Sequence, residues 1–211
     1  MLIPMEDLTN RLSIHPSGVL HLGGHVGEEA DAYDNAGVCR VLWVEAHTEA
    51  FAALQRAVSS RPGHITYFGA VSERDDQVVD FYRTSNVCSS SLLPLHKHKE
   101  KHPDVSPAGI QKVKTVTVDT LLSRLGLNAD GYEFLNMDLQ GGEMLALSGM
   151  VRYLESCRWV YTEINTEELY LGCALFPEID SFLVARDFKL VEKKLWSETH
   201  AWGDALYVKG L

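Results

Sequence analysis

The stretch "VLHLGGHVGEE" (19–29) runs an apolar strand into a turn that holds Gly23, Gly24, His25 and Gly27. Glycine lets the backbone turn tightly and approach a ligand, and a helix beginning just beyond would present free N–H groups to it. On its own the GGxxG spacing equally describes a tight strand-to-helix turn with no ligand. Glu45 adds a second observation. It stands 22 residues after Gly23, at the end of the next apolar run "RVLWVEA" (40–46), where an acid accepts hydrogen bonds from the two hydroxyls of a ribose. Turn and acid together predict an adenosine-type ligand held by Gly23, Gly24, His25, Gly27, Glu45 and the adjoining Ala46. Glu28 and Glu29 open the helix and oppose a pyrophosphate, which prefers an unopposed positive helix end. A ligand without phosphates, such as the sulfonium S-adenosylmethionine, suits the turn better.

Three further polar residues end apolar runs on the same pattern. Asp138 closes "YEFLNMD" (132–138) ahead of Gly141-Gly142, and Glu163 and Asn165 close the run that begins "RWVYTEI" (158–164). Ligands in an open parallel sheet bind beyond the carboxyl ends of the strands. Asp138 and Glu163 are therefore the candidate catalytic acids, as base or as orienting groups for a hydroxyl. Asn165 and Ser90, the latter within Ser89–Ser91, are candidate substrate contacts. The alternatives stay open: Asp138 as cap of a helix starting near Gly142, Glu143 as a first-turn acid, Glu163 and Asn165 as ordinary turn formers.

The elements that must position these residues alternate. Strands are predicted at 18–24, 40–46, 64–72, 77–84, from 113, at 132–138 and at 158–164; helices at 27–36, from an N-cap at Thr48 to Arg61-Pro62-Gly63, near Asp119, after Gly142 and around 175–186. Strand then helix, repeated, specifies an α/β fold with a mostly parallel sheet covered on both faces. "FKLVEKKLW" and "DALYVKG", joined by "SETHAWG", read as an antiparallel hairpin at the sheet edge. Residues 85–110 lack periodicity and form a long loop, read as a lid or substrate loop, and residues 1–17 an N-terminal extension. His96, His98 and His102 in "HKHKEKH" have a metal-like spacing, but interspersed lysines repel a cation, and no metal is expected.

Taken in order, "VLHLGGHVGEE", "VLWVEAHTEAFAAL", "CSSSLLPLH", "VTVDTLL", "FLNMDLQGGEMLALSGM", "YTEINTEELY" and "WGDALYVKG" resemble the successive motifs of FkbM-type S-adenosylmethionine-dependent methyltransferases. The resemblance runs from about residue 18 to 209, and "FLNMDLQGGE" is its most specific piece. It implies a class I methyltransferase (Rossmann-like) fold with a seven-stranded sheet. It also implies S-adenosylmethionine as cofactor and O-methylation of a small hydroxylated acceptor, such as a sugar or a natural-product intermediate. This chain has Gly23-Gly24 where the family usually has Gly-Ala, and His21 where an acid is common; His21 also reads as a satisfied core histidine.

Length and charge bound the remainder. With 211 residues, 45% of them apolar, one core and a single domain over 1–211 are expected. A net charge of -10 disfavours nucleic acid and anionic lipid as partners, although 96–114 carries five lysines against two acids. It opposes nonspecific association and permits a specific homodimer. The four cysteines show no CxxC pair, and no signal-peptide pattern or membrane-length apolar run occurs, so a cytoplasmic protein with reduced thiols and no membrane partner is expected. Two other classes remain for comparison. A non-catalytic S-adenosylmethionine-binding or partner protein would keep the pocket without transfer, whereas an NAD-dependent oxidoreductase would want the full GxGxxG turn, which is missing.

Overall fold

Apolar runs that alternate with amphipathic segments build a sheet with a helical layer on each side. A computed structural model of the protein describes residues 1–197 and 199–210. Helix α1 (Met5–Leu12) precedes β1 (Gly18–Leu22), α2 (Ala30–Asn35), β2 (Arg40–Glu45), α3 (Thr48–Val58), β3 (His64–Phe68), β4 (Ala70–Val71) and β5 (Val78–Thr84). The chain continues through α4 (His98–Lys101), β6 (Pro107–Val116), α5 (Val118–Leu125), β7 (Phe134–Met137), α6 (Glu143–Ser148) and α7 (Tyr153–Ser156). It ends with β8 (Trp159–Asn165), α8 (Phe176–Val184), β9 (Phe188–Leu195) and β10 (Trp202–Lys209).

The main sheet has seven strands in the order β3-β2-β1-β7-β8-β10-β9, parallel except for β10. Successive side chains of each strand point to opposite faces, and in β1, β7 and β8 both faces are buried, which is why those strands read as continuous apolar runs. Leu20, Leu22, Leu42, Val44, Leu135 and Met137 face a core shared with Leu121, Leu122, Leu147 and Leu183. Val19, Val41, Trp43, Phe134 and Tyr161 face the other, shared with Leu8, Tyr33, Leu54 and Val58. Strand order reverses between β1 and β7, so their carboxyl ends flank the cleft in which such sheets bind ligands.

Several local expectations change. The helix read at 27–36 starts only at Ala30, because Gly27 at φ +84 keeps the chain in turns. His47, rather than Thr48, caps α3: its ring accepts the Ala50 N–H at 3.4 Å. The run 64–72 is cut at Gly69, and β4 leaves the main sheet to pair in parallel with β6. Strand β5 lies antiparallel on the other side of β6, and the three make a second, smaller sheet. The terminal hairpin is as expected: β9 and β10 pair antiparallel at the sheet edge, with β10 against β8 and β9 outermost. Of the connection "SETHAWG", Glu198 lies outside the described residues.

The segment 85–110 is structured. It holds a 3-10 turn at Val87–Ser89, helix α4 and the start of β6, and the His96 and His98 N–H groups donate to the Leu169 carbonyl at 2.8 and 3.0 Å. Its fastening is to a distant loop, which no local periodicity records. Residues 1–17 also contribute to the core: Ile3, Met5, Leu8 and Ile14 are buried against the sheet. No helix among the described residues is long and apolar enough to cross a membrane.

Candidate active site

A cavity of about 370 Å³ opens at the carboxyl ends of β1, β2, β7, β8 and the start of β10. Gly23, His25, Glu45, Ser90, Asp138 and Glu163 all line it. Gly23 stands at φ +85, and a Cβ there would lie 1.9 Å from the Asp138 carbonyl oxygen. The ends of β1 and β7 therefore approach closely only because residue 23 has no side chain. Gly24 and Gly27 turn the other way. A Cβ on either would press within 3.3 Å of Leu54, and neither lines the cavity. They seat the turn on α3, where fully buried Leu54 contributes about 1.5–3 kcal/mol by leaving water.

The turn's amides are already engaged. Gly23 and Gly24 N–H groups donate to the Val44 carbonyl at 2.9 and 3.0 Å, and the His25 N–H donates to Glu45 Oε2 at 2.8 Å. The N–H groups of Gly23, Gly24 and His25 are therefore not free for a ligand. Glu45 is instead the fixed polar group: Oε1 accepts the His47 N–H at 2.6 Å, so both oxygens are clamped by backbone. A carboxylate has about four acceptor sites, which leaves two for a ligand. Burial pushes the Glu45 carboxyl upward, against the His47 and His25 N–H groups that favour its charged form. Beside it a slot of about 50 Å³ is lined by Ala46, Ala70, Val71, Phe81 and Leu139, together with Glu45, Ser90 and Asp138.

Across the cleft the arrangement is one of side chains. Gln140 Nε2 donates to Asp138 Oδ1 at 2.6 Å and to Glu163 Oε2 at 2.7 Å, joining the two predicted acids through one amide. Its own Oε1 accepts the Tyr170 hydroxyl at 2.6 Å. Asp138 is exposed to the cavity and caps no helix; α6 begins after Gly142 with no side-chain cap. Glu163 is 5% exposed, and burial, then the charges of Asp138 and Glu143, push it well above the usual carboxylate range. Glu143 is buried as well and does more than favour a helix dipole. Its Oε1 accepts the Leu139 and Gly141 N–H groups at 2.9 and 3.2 Å, closing the turn that carries Gln140, while burial lifts it to about 7.

The other predicted residues fall in different places. Ser90 lines the cavity and the slot, its hydroxyl accepting the Thr84 N–H at 3.2 Å. Asn165 is buried at the end of β8, lines neither the cavity nor the slot, and its side-chain amide has no hydrogen-bond partner among the described residues. His21 is both core and lining: it stacks on Trp43 with centroids 4.7 Å apart, meets the Tyr33 hydroxyl at 3.0 Å, and burial lowers its pKa. Among the described residues no three His, Cys, Asp or Glu side chains converge as a metal site.

Residues 21–190 match the methyltransferase FkbM domain. The chain belongs to the FkbM methyltransferase family. Like other proteins of class I methyltransferase fold, it aligns with magnesium protoporphyrin IX methyltransferase of Synechocystis PCC 6803 with bound SAM, at TM-score 0.52 and 9% identity over 98% of this chain and 76% of that one. The ribosomal protein L11 methylase of Lactobacillus delbrueckii subsp. bulgaricus aligns at TM-score 0.52 and 13% identity, over 99% and 75%. A curated relative, the 2-O-methyltransferase NoeI of Sinorhizobium fredii, is 28% identical over 116 residues. That match covers 55% of this chain and 44% of NoeI, so the chain spans less than half of that relative's length.

Within this FkbM chain, the sequence reading passes over Gln140, Asp204, Trp196 and Trp202, all of which line the cavity. Gln140 stands just ahead of Gly141-Gly142 at φ 53, and only the tightness of "DLQGG" hints that its side chain is aimed. Asp204, buried on β10, accepts the Leu2 N–H at 2.7 Å and the Tyr161 hydroxyl, and reads in sequence as any acid in a strand. Trp196 and Trp202 stack nearly parallel, at 8° with centroids 5.5 Å apart, on the cavity wall.

Proposed function

We propose that the protein transfers a methyl group from S-adenosylmethionine to a hydroxyl of a small acceptor, a sugar or natural-product intermediate. The observation that carries this reading is the pairing of Asp138 with Glu163 through Gln140, in the same cavity as Glu45. The residues present fit the cofactor. Glu45 keeps acceptor sites for a ribose diol, the slot beside Ala46 suits a flat base, and Gly23 leaves room where a Cβ would meet backbone. Glu28, Glu29, Asp138 and Asp204 also line the cavity, a donor-poor and acid-rich wall suited to a cation rather than a phosphate.

When bound, S-adenosylmethionine supplies a methyl group activated by its sulfonium. The chain's own task is then positioning and one proton transfer. Asp138, the exposed member of the acid pair, accepts the proton of the acceptor hydroxyl. Burial, then the charge of Asp138, pushes the Glu163 carboxyl well above the usual range and so favours its protonated form, and Gln140 bridges the two acids. Tyr170 orients Gln140 from behind. The name of NoeI, a 2-O-methyltransferase, supports oxygen as the methylated atom.

The test is calorimetric titration with S-adenosylhomocysteine, with NAD as control, followed by labelled-methyl transfer to a panel of methyl glycosides and hydroxylated aromatics. Micromolar binding of S-adenosylhomocysteine alone and a labelled ether product are expected. Silence with both ligands would sink the cofactor assignment, and binding without transfer to any hydroxyl would sink the enzyme reading.

A further inference from the structure

Of the three histidines in "HKHKEKH", His98 is the buried one, and it lines a second cavity of about 210 Å³. This cavity shares Asp138, Gln140, Glu163 and Trp202 with the main one, while Gly23, His25 and Glu45 do not line it. Asp138 also borders the slot beside Ala46, so it stands where all three spaces meet. Methyl transfer needs two ligands that meet at one point in line. With the donor placed against Glu45 and the slot, the second cavity is the space left for an acceptor at Asp138. Ser90 and Asn165, the substrate contacts expected from the sequence, do not line it.

The lining combines rings with polar groups. His98 packs on Tyr170 and on His102, with centroids 5.3 and 4.6 Å apart. Tyr170 also donates to Gln140, so one side chain braces both the histidine and the amide that bridges the acids. His98 is 4% exposed, and its Nδ1 has no hydrogen-bond partner among the described residues. An unpaired buried polar atom costs stability, and phenylalanine would fill the same space without that cost. A half-turn of the ring exchanges nitrogen for carbon within the same packing, so a nitrogen unclaimed by the protein can be presented to a ligand. Charge narrows the ligand. Among the described residues no lysine or arginine lines this cavity, and Lys97 and Lys101 are held by Glu167 at 3.3 and 2.7 Å. Burial, then the charge of His102, lowers His98 to about 4, and burial, then His200, lowers His102, so both imidazoles are neutral at pH 7. Asp138 and Glu163 then disfavour an anionic acceptor. Drug-sized ligands fill about 300–1,000 Å³, so this smaller space suits a single ring.

We infer that this cavity is the acceptor site, that it takes an uncharged single-ring polyol of the pyranoside class, and that His98 selects the acceptor through a hydroxyl other than the one methylated. The reacting hydroxyl lies at Asp138, and the Trp202 indole offers the ring a flat apolar surface. His98 fixes which hydroxyl is presented and takes no part in the proton transfer. The cavity's role as acceptor site rests on the methyl-transfer reading above; its binding of a polyol does not.

The experiment adds the methyl glycosides of glucose, galactose and mannose to the full chain carrying nitrogen-15 histidine, with and without S-adenosylhomocysteine. The His98 ring signals, assigned by their loss in His98→Phe, are expected to shift with at least one glycoside at millimolar concentration, while those of exposed His15 stay in place. No shift with any of the three overturns the acceptor class. The methyl glucuronoside is expected to bind at least about fivefold more weakly than the methyl glucoside, and equal binding overturns the uncharged ligand. His98→Phe is expected to weaken the glycoside about fivefold by saturation-transfer NMR, and His98→Gln, which keeps a donor and an acceptor, to recover most of that loss. Unchanged affinity in His98→Phe overturns the selection by His98. Val105→Trp fills the cavity from its own wall and is expected to abolish glycoside binding while S-adenosylhomocysteine still binds. Glycoside binding retained in that variant overturns the location. Failure of S-adenosylhomocysteine to bind while the glycosides still shift His98 overturns the methyl-transfer reading and the acceptor role, and leaves the polyol site standing.

Discussion

The two sides of the cleft are held by different means. On the β1–β2 side, Glu45 is clamped by the N–H groups of His25 and His47, and Gly23 is set by backbone packed against Asp138. On the β7–β8 side, Asp138, Gln140, Glu163 and Tyr170 are joined to one another through their side chains. A backbone clamp survives most substitutions around it, so the first side is a rigid seat. A chain of side chains fails when one member changes, so the second side is where chemistry can be tuned and lost.

The strongest way to break this contrast is Asp138→Asn. Turnover is expected to fall by roughly 10²- to 10⁴-fold while S-adenosylhomocysteine affinity is retained, read by steady-state kinetics beside calorimetry. Wild-type turnover would leave Asp138 a structural residue. Gly23→Ala addresses the seat itself. With φ at +85 and a Cβ 1.9 Å from backbone, a loss of about 3 kcal/mol in unfolding free energy is expected from urea titration. A loss below 1 kcal/mol, within the range of an ordinary surface change, would show that the two strand ends move apart freely.

Glu45→Ala is next in size. Loss of its ligand bonds is expected to weaken S-adenosylhomocysteine by about 1.5 to 3 kcal/mol, and unchanged affinity would remove Glu45 from the cofactor site. The smallest effect sharpens the electrostatics of the other side. Glu163 and Glu143 hold protons in the folded state that they release when unfolded above the usual carboxylate range. The native state then binds more protons than the unfolded one, so stability falls as pH rises from the usual carboxylate range through the raised native values, about 7 for Glu143. Glu163→Gln is expected to shrink the difference in urea midpoint between pH 5 and pH 8; a difference as large as the wild type's would mean that Glu163 titrates normally.

Legibility in the sequence follows the same contrast. Glu45, Gly23 and Asp138 are visible because strand ends can be found from apolar runs, and residues at strand ends face the cleft by construction. Gly24 and Gly27 share their motif and yet pack on Leu54, since spacing does not say which way a turn's hydrogens point. Asn165 stands two residues beyond Glu163, on the same strand face by period, yet only Glu163 lines the cavity, so strand period does not tell which of the two reaches it. Gln140 carries no pattern at all. Its role comes from a turn closed by Glu143.

The sequence by itself determined the alternating elements, the class of fold and the β1–β2 seat, because strand period, glycine turns and caps are written in near neighbours. The tertiary structure decided what spans distance. It placed β10 between β8 and β9, drew β4, β5 and β6 into a sheet of their own, and set Asp204 under the Leu2 amide. It also packed His98 against Tyr170. Such contacts depend on how a closed chain packs two faces of one sheet, and no local preference of the residues involved encodes them.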